Sequence, residues 1–250
     1  MISPAVFFRS RSAAKILDSS KKITVFTGAG ISASTGIPTF RDVGGLWTDE
    51  DIAFFGSPEA WAIDPHRCWI MYEKFRLMTA AAAPTAAHWF VSRLADIADV
   101  SLFTSNVDSL HKSSSMNAKE VHGALRTARC TSCMKITELA DGAVTHPGCP
   151  SCGNWLRHDV VLWGEPTRFN DELFESAEES DCLLIIGASG EVTDTEDLSA
   201  SARKAGTKIV EVNLRHTPSS KNADAFVMAP SDSATSTISF FMKSQAKLLF

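Results

Sequence analysis

Five short apolar runs constrain the fold of this chain more than any other feature. They are KITVFTG at 22–28, VSLFTSN at 100–106, CLLIIGAS at 182–189, KIVEVN at 208–213 and AFVMAP at 225–230. Each is rich in Val, Ile, Leu and Phe and ends in loop residues, as a strand buried on both faces does. Helical patterns lie between them, over roughly 10–20, 30–36, 65–82, 85–98, 170–179, 195–205 and 233–248. SPEAW at 57–61 adds a short helix, with Ser57 as N-cap and Pro58 at the first helical position. Strands alternating with helices predict an α/β fold with a parallel sheet covered on both faces.

Two stretches break that rhythm. Residues 44–84 are helical and aromatic, with no clear strand. Residues 126–158 hold four of the six Cys and little apolar periodicity. Both read as insertions that together form a smaller module. The expected division is a Rossmann-like domain of residues 1–43, 85–125 and 159–250, with a helical insertion at 44–84 and a cysteine-bearing ribbon at 126–158. A length of 250 residues with 44% hydrophobic content can fill one good-sized core and such a satellite.

Cys130 and Cys133 form one C-x-x-C pair, and Cys149 and Cys152 form another. Two such knuckles at this distance can place four thiolates in a tetrahedron around Zn²⁺. Four ligands of one type leave no open position, so the metal would brace the fold. The bland alternative is four reduced thiols or a redox pair. His146 could compete for a ligand place, but the Cys set is already complete. Cys68 and Cys182 fall in a helical and a strand pattern and read as core residues.

The net charge of -5 gives no general attraction to nucleic acid or to an anionic membrane. No segment reaches 18 apolar residues, so no transmembrane helix is expected. Arg9 and Arg11 follow the first apolar patch, which is the wrong order for a signal peptide. A cytoplasmic location is expected, where six Cys read as metal ligands or free thiols before disulfides.

Gly28, Gly30 and Ala33 give G-x-G-x-x-A directly after an apolar run. Small residues there let backbone amides approach a pyrophosphate at a helix N-terminus. Tight turns in α/β proteins also use Gly for steric reasons alone. Thr27 and Ser32 add hydroxyls. A dinucleotide fingerprint wants an acid about twenty residues on, at the end of a second strand. Asp49, Glu50 and Asp51 stand near that distance, but no strand pattern precedes them. The loop instead runs into TFRDVGGLW, with Phe40, Arg41 and Asp42 on a Gly-bounded segment. That suits a dinucleotide that is consumed, not one used for hydride transfer.

Taken whole, GAGISASTGIPTFRDVGGLW resembles the cofactor loop of the sirtuins, NAD-dependent protein deacylases. TSNVDSLH at 104–111 is similar to their T-Q-N-[IV]-D-x-L-H stretch, and HGAL at 122–125 to their catalytic His-Gly. The CTSC and CPSCG knuckles follow, and LRHDVVLWGE at 156–165 resembles L-R-P-x-V-V-x-F-G-E. GAS at 187–189 and VNL at 212–214 stand where the family has G-T-S and an Asn-bearing strand end. The likeness spans about residues 20–235, in order.

The resemblance implies a Rossmann-like NAD domain, a zinc ribbon joined to a helical insertion, and an acylated-lysine substrate chain in the cleft between. It implies that His122 is the general base, that Asn106 orients the ribose region and that Asp108 binds the nicotinamide carboxamide. Blandly, N-x-D is a helix cap. Phe40 would shield C1′, and Arg41 would contact the pyrophosphate or brace the loop. Gly28, Ala29, Gly30, Ser32, Ile37, Trp47 and Ser105 would complete one side of the NAD site. Gly187, Ala188, Ser189, Asn213 and Leu214 would complete the adenosine side. Val161, Trp163, Gly164 and Glu165 would pair with the substrate as an added β-strand, Trp163 walling the acyl-lysine tunnel where Phe is commoner.

Four departures bear on activity. Ser105 replaces a Gln that contacts the ribose, and Ala188 replaces a Thr near the phosphates. GEVTDTEDL stands in place of V-x-P-A, and its Glu191 and Asp194 could favour basic residues beside the target lysine. SLHKSSS replaces a commoner Gly-Leu-His and Ala-Gly ending. Ser105 and Ala188 keep open an ADP-ribosyltransferase or NAD-cleaving enzyme on the same scaffold. Sirtuins that remove succinyl or malonyl groups carry Tyr-x-x-Arg on the helical insertion. Here Tyr72 is followed by Phe75 at +3 and Arg76 at +4. An acyl carboxylate facing Phe75 would be unpaired, which is costly, so neutral acyl groups are expected.

Overall fold

The computed structural model describes residues 3–37, 54–145, 147–190 and 193–243. Its strands in chain order are β1 (Lys22–Thr27), β2 (Asp99–Thr104), β3 (Lys119–Glu120), β4 (Gly123–Cys130), β5 (Ile136–Glu138), β6 (Leu156–Val160), β7 (Cys182–Ile186), β8 (Lys208–Asn213) and β9 (Ala225–Met228). The α-helices are α1 (Pro4–Ser19), α2 (Pro58–Ile63), α3 (Pro65–Ala80), α4 (Ala86–Leu94), α5 (Leu110–Ser113), α6 (Asn170–Glu178), α7 (Thr195–Ala205) and α8 (Ser231–Phe241).

The five apolar runs all enter one six-stranded parallel sheet, ordered β3-β2-β1-β7-β8-β9. Its register explains why the runs do not alternate with polar residues. Val25, Leu184 and Val210 face one cluster with Ala13, Leu17 and Ile238. Phe26, Leu183, Ile185 and Ile209 face the other, with Leu173, Ala177, Leu198 and Ala202. Both faces of the central strands β1, β7 and β8 are covered, so between their ends these strands are apolar on both sides apart from Thr24 and Glu211, which are hydrogen-bonded.

The small module is a three-stranded antiparallel sheet, ordered β5-β4-β6, packed against α2 and α3. Phe55, Trp61, Cys68, Trp69 and Tyr72 share one buried cluster with Leu125, Leu156, Val160 and Leu162. The two insertions therefore bury each other. Ser57 caps α2 through Oγ, and Asp64 ends α2 while capping α3 at the Arg67 amide. The expected borders at 125/126 and 158/159 fall inside β4 and β6.

Three elements differ from the sequence reading. Residues 30–36 form two 3-10 turns, Ala29–Ile31 and Ala33–Thr35, instead of a helix. The run is Gly-, Ser- and Thr-rich, and contacts with the loop after β7 hold it too tightly for a full helical turn. The helix expected over 85–98 stops at Leu94. The strands β3 to β6 carry no period-2 signal: β3 and β5 have two and three residues, and β4 mixes Arg and Thr with Ala and Cys across an irregular register.

Candidate NAD site and metal centre

The loops that follow β1 and β7 meet where the strand order reverses, the position at which open α/β sheets hold ligands. They meet without space for a side chain. A Cβ on Gly28 would lie 2.7 Å from Ala188 Cα, and one on Gly30 would lie 2.7 Å from Gly187 Cα. Gly187 has φ +64°, and a Cβ there would strike Gly30 at 2.6 Å. The glycines thus serve the steric contact first, and this contact opens the backbone of the cleft. Gly30 N donates to Gly187 O at 2.9 Å, and Asn213 Nδ2 donates to Ala188 O at 2.7 Å. The cleft is lined by Gly30, Ala33, Ser34, Gly187, Asn213, Leu214, Ser231 and Asp232.

The loop after β2 joins this cradle through hydroxyl and amide groups. Asn106 is buried, and its Nδ2 reaches Gly28 O at 3.2 Å and Ser32 Oγ at 3.3 Å. Ser32 Oγ donates to Asp108 Oδ2 at 2.7 Å, and the Leu110 amide donates to Asp108 Oδ1 at 2.9 Å. Asp108 therefore does hold the start of α5, as the capping reading allowed. It also ties Ser32 to that helix. Burial raises its carboxyl pKa above the ordinary value. Ser105 turns its hydroxyl back to Thr27 O at 3.2 Å, so its carbonyl, not its side chain, faces the next residue of interest.

That residue is His122. Its Nδ1 lies 3.0 Å from Ser105 O, and a carbonyl can only accept, so Nδ1 carries the proton. Nε2 is buried and has no hydrogen-bond partner. Burial lowers the imidazole pKa, with the Ser105 carbonyl working against it. The result is a neutral ring with one free lone pair, the form a general base needs. Gly123 follows because nothing else fits. It has φ +76°, and a Cβ would sit 1.9 Å from Asp159 O.

Sequence reasoning assigned no role to a second pair of histidines below the loop. His88 and His111 are 0% and 2% exposed, with ring centroids 4.7 Å apart. His111 Nε2 lies 2.8 Å from Thr27 Oγ1, at the end of β1. His88 Nδ1 accepts from the Thr85 amide at 3.1 Å, and Thr85 Oγ1 donates to Ile31 O at 3.0 Å. Ser231 Oγ donates to Gly30 O at 2.9 Å, and Asp232 bonds Ser34 and the Ala87 amide. His111 closes the TSNVDSLH stretch, while the other signals, a Thr three residues before His88 and a Ser-Asp pair at a helix start, are too common to single out.

The four ribbon cysteines converge. Their Sγ atoms all lie within 4.8 Å of one another, with Cys130 to Cys152 at 3.5 Å and Cys133 to Cys149 at 3.8 Å. A tetrahedron with Zn–S bonds of about 2.3 Å has edges of about 3.8 Å, whereas a disulfide needs about 2.05 Å. Amides of Ser132 and Cys133 point at Cys130 Sγ, and that of Ser151 at Cys149 Sγ, all at 3.4 Å. Such donors stabilise thiolates. The donor set fits a structural zinc with no open position, and His146 lies outside the described residues.

A family model described as "Sir2 family" matches residues 28–194. The chain belongs to the Sir2 family. An NAD-dependent protein deacylase of Aeropyrum pernix is 40% identical over 205 residues, covering 80% of this chain and 84% of that protein. A Sir2 homologue solved as an NAD complex superposes with a TM-score of 0.84 at 31% identity, covering 94% of each chain. A Sir2 structure with a p53 peptide and NAD+ matches with a TM-score of 0.79 at 22% identity, covering 91% of this chain and 95% of that one, and shows the fold.

In this Sir2-family chain the segment after β6 is a turn and not a strand. The Val161 amide donates to His122 O at 2.9 Å, and the Trp163 amide to Gly56 O at 2.7 Å. Arg157 clamps Glu165 at 2.7 and 3.1 Å, and Glu165 accepts the Leu162 amide at 2.9 Å. Burial works to raise the Glu165 pKa, but Arg157 and that amide hold it below the ordinary value. Trp163 is 43% exposed and is not part of the core.

On α3, Tyr72 is buried beside Trp61 and His158, its hydroxyl donating to Phe55 O at 3.2 Å. Arg76 is 5% exposed and fully committed. It grips both oxygens of Glu73 at 2.7 and 2.8 Å and donates to the carbonyls of Ala140 and Gly142. Glu73 also takes the Val144 amide at 2.7 Å and meets His158 Nε2 at 3.1 Å. Burial opposes the Glu73 charge, but Arg76, His158 and Val144 hold its pKa at about 2. Asp194 is spent as the N-cap of α7, accepting the Asp197 amide at 2.9 Å. Ile37 donates its amide to Thr35 Oγ1 at 3.1 Å, at the edge of the cradle. Phe40, Arg41, Asp42, Trp47 and Glu191 lie outside the described residues.

Proposed function

We propose that this chain, a Sir2-family NAD-dependent protein deacylase, takes acetyl and other neutral acyl groups from lysine and leaves them on ADP-ribose. The observation that carries this reading is His122, with Nδ1 pinned to the Ser105 carbonyl and Nε2 buried without a partner. NAD, as the co-substrate, supplies an electrophilic C1′ that loses nicotinamide and a ribose hydroxyl that receives the acyl group.

The chain's own residues supply the rest. His122 Nε2 accepts the proton of that hydroxyl, and the Ser105 carbonyl steadies the imidazolium through Nδ1–H. Asn106 has both amide hydrogens directed at Gly28 O and Ser32 Oγ, which leaves Oδ1 free to orient a ribose hydroxyl. Asp108 is held by Ser32 and Leu110 in a pose that can face the carboxamide. Gly28, Ala29, Gly30 and Ser32 line the phosphate side, with Gly187, Ala188, Ser189, Asn213 and Leu214 toward adenosine. Phe40, Arg41 and Trp47 keep the roles that the family likeness implies.

The substrate chain is assigned to Val161, Trp163, Gly164 and Glu165, and the bond from the Val161 amide to the His122 carbonyl, which keeps this segment beside the base, supports the assignment. The amides of Val161, Leu162, Trp163 and Glu165 are already used inside the chain, so an added strand would be met by carbonyls. The p53 peptide in a Sir2 complex of this fold supports a peptide in that cleft. Arg76 cannot meet an acyl carboxylate without abandoning Glu73, which favours neutral acyl groups.

The test is incubation with NAD and an acetyl-lysine peptide, followed by mass analysis. O-acetyl-ADP-ribose and free lysine are expected. Free ADP-ribose or a modified protein, with the peptide still acetylated, would move the assignment to the NAD-cleaving alternative. His122→Ala should abolish turnover, and retained activity would remove the assigned base.

A further inference from the structure

We propose that the outer face formed by α1 and the end of α8 is a docking surface for an anionic lipid bilayer. Three large apolar side chains stand out there. Phe7 is 42% exposed, and Phe8 and Phe240 are each 64% exposed. The rings form one chain of edge contacts: Phe8 to Phe7 at 5.8 Å, Phe7 to Phe241 at 4.7 Å, and Phe241 to Phe240 at 5.3 Å. The patch therefore bridges two helices as a continuous aromatic ridge.

Its charge is predominantly positive, three cations against Asp18. Arg9, Arg11 and Lys15 are exposed on α1, and the chain carries no acid before Asp18. Phe8, Arg11 and Lys15 share a helix face by their spacing of three and seven residues. Asp18, at the end of the helix, accepts the Lys243 amide at 2.8 Å. The inner face of α1 is already spent, with Ala13, Ala14 and Leu17 fully buried in the sheet domain. In a chain of net charge -5, this is a local reversal of sign around exposed Phe.

Physical chemistry selects the occupant. A second copy would set Arg9, Arg11 and Lys15 against themselves. The three rings expose about 350 Å², taking about 200 Å² for a whole Phe side chain. That is less than half of the about 800 Å² per partner that a stable protein interface buries. The ridge suits shallow insertion at a lipid interface, where Phe enters the acyl boundary and Arg or Lys meets phosphate headgroups. This surface is separate from the deacylase site, and its test does not depend on that reading.

The experiment is co-sedimentation of the full chain with vesicles of phosphatidylcholine, with and without about one third phosphatidylglycerol. Binding is expected only to the anionic vesicles, falling at least about tenfold at about 0.5 M salt. The double variant Phe8→Ser/Phe240→Ser and the double variant Arg11→Gln/Lys15→Gln should each bind at least about fivefold more weakly. Both should keep the parent's thermal midpoint, since they alter exposed positions. No binding to anionic vesicles, or equal binding by the variants, would overturn the proposal. So would a wild-type dimer in solution that the Phe variant turns into a monomer. Binding to an acidic amphipathic peptide but not to vesicles would assign the face to a protein partner and overturn it as well.

Discussion

Acidification from pH 7 to pH 5 should cost this protein about 4 kcal/mol through His88 and His111 alone. Both rings are buried, and burial lowers their pKa from 6.5, to about 4 for His88 and about 3 for His111. Asp232 acts against the shift at His88, while His88 adds to the lowering at His111. The folded state therefore refuses protons that the unfolded chain accepts below 6.5. Stability is complete above that value, falls as pH drops through it, and levels off only near the folded values. At pH 5 the unfolded rings are almost fully charged and the folded ones almost neutral, which gives about 2 kcal/mol for each. Ordinary carboxylates contribute almost nothing above pH 5, so the window belongs to histidine.

The assay is urea unfolding at pH 7 and pH 5 with zinc held in excess. With an m-value of about 3 kcal/mol/M, the midpoint should fall by at least about 1.3 M, since burial lowers His122 and His158 as well. His88→Gln/His111→Gln should be weaker at pH 7 but should lose at least half of that pH dependence. A wild-type midpoint that moves less than about 0.3 M would refute the reasoning, as would a double variant that keeps the whole slope.

Other outcomes follow from single contacts. The acid limb of kcat/KM should lie below pH 6.5, because the lowered pKa keeps His122 neutral there; a limb above 7 would contradict its burial. Gly123→Ala should lower stability by at least about 2 kcal/mol in chemical denaturation, since a Cβ would sit 1.9 Å from Asp159 O. Cys152→Ser should reduce bound zinc from one per chain to well under one by atomic absorption, with loss of the small module's protection in hydrogen exchange. Glu73→Gln should cost about 3 kcal/mol by leaving Arg76 buried without its carboxylate. The wild type should turn over acetyl-lysine peptide faster than succinyl-lysine peptide, and the reverse order would mean that Arg76 leaves Glu73.

The sequence alone determined the parts whose physics is local. Dry strands of one sheet must be apolar on both sides, so KITVFTG, CLLIIGAS and KIVEVN announce a parallel sheet by themselves. Two C-x-x-C pairs carry their metal in their spacing, and the observed sulfurs fit it. The family likeness singled out His122, Asn106 and Asp108 without placing them. Tertiary structure decided what those residues face. Gly28 and Gly30 look like a phosphate cradle in sequence, but Gly187 and Ala188, about 160 residues away, are what forbid a side chain there. Nothing in the sequence pairs His88 with His111, and they become a buried pair only when α4 and α5 pack beneath the loop. Arg76 has the right charge for an acidic acyl group, and only the fold shows it locked to Glu73. Periodicity records how much of an element is buried. Which groups meet across the chain depends on packing, and no single stretch of residues carries that information.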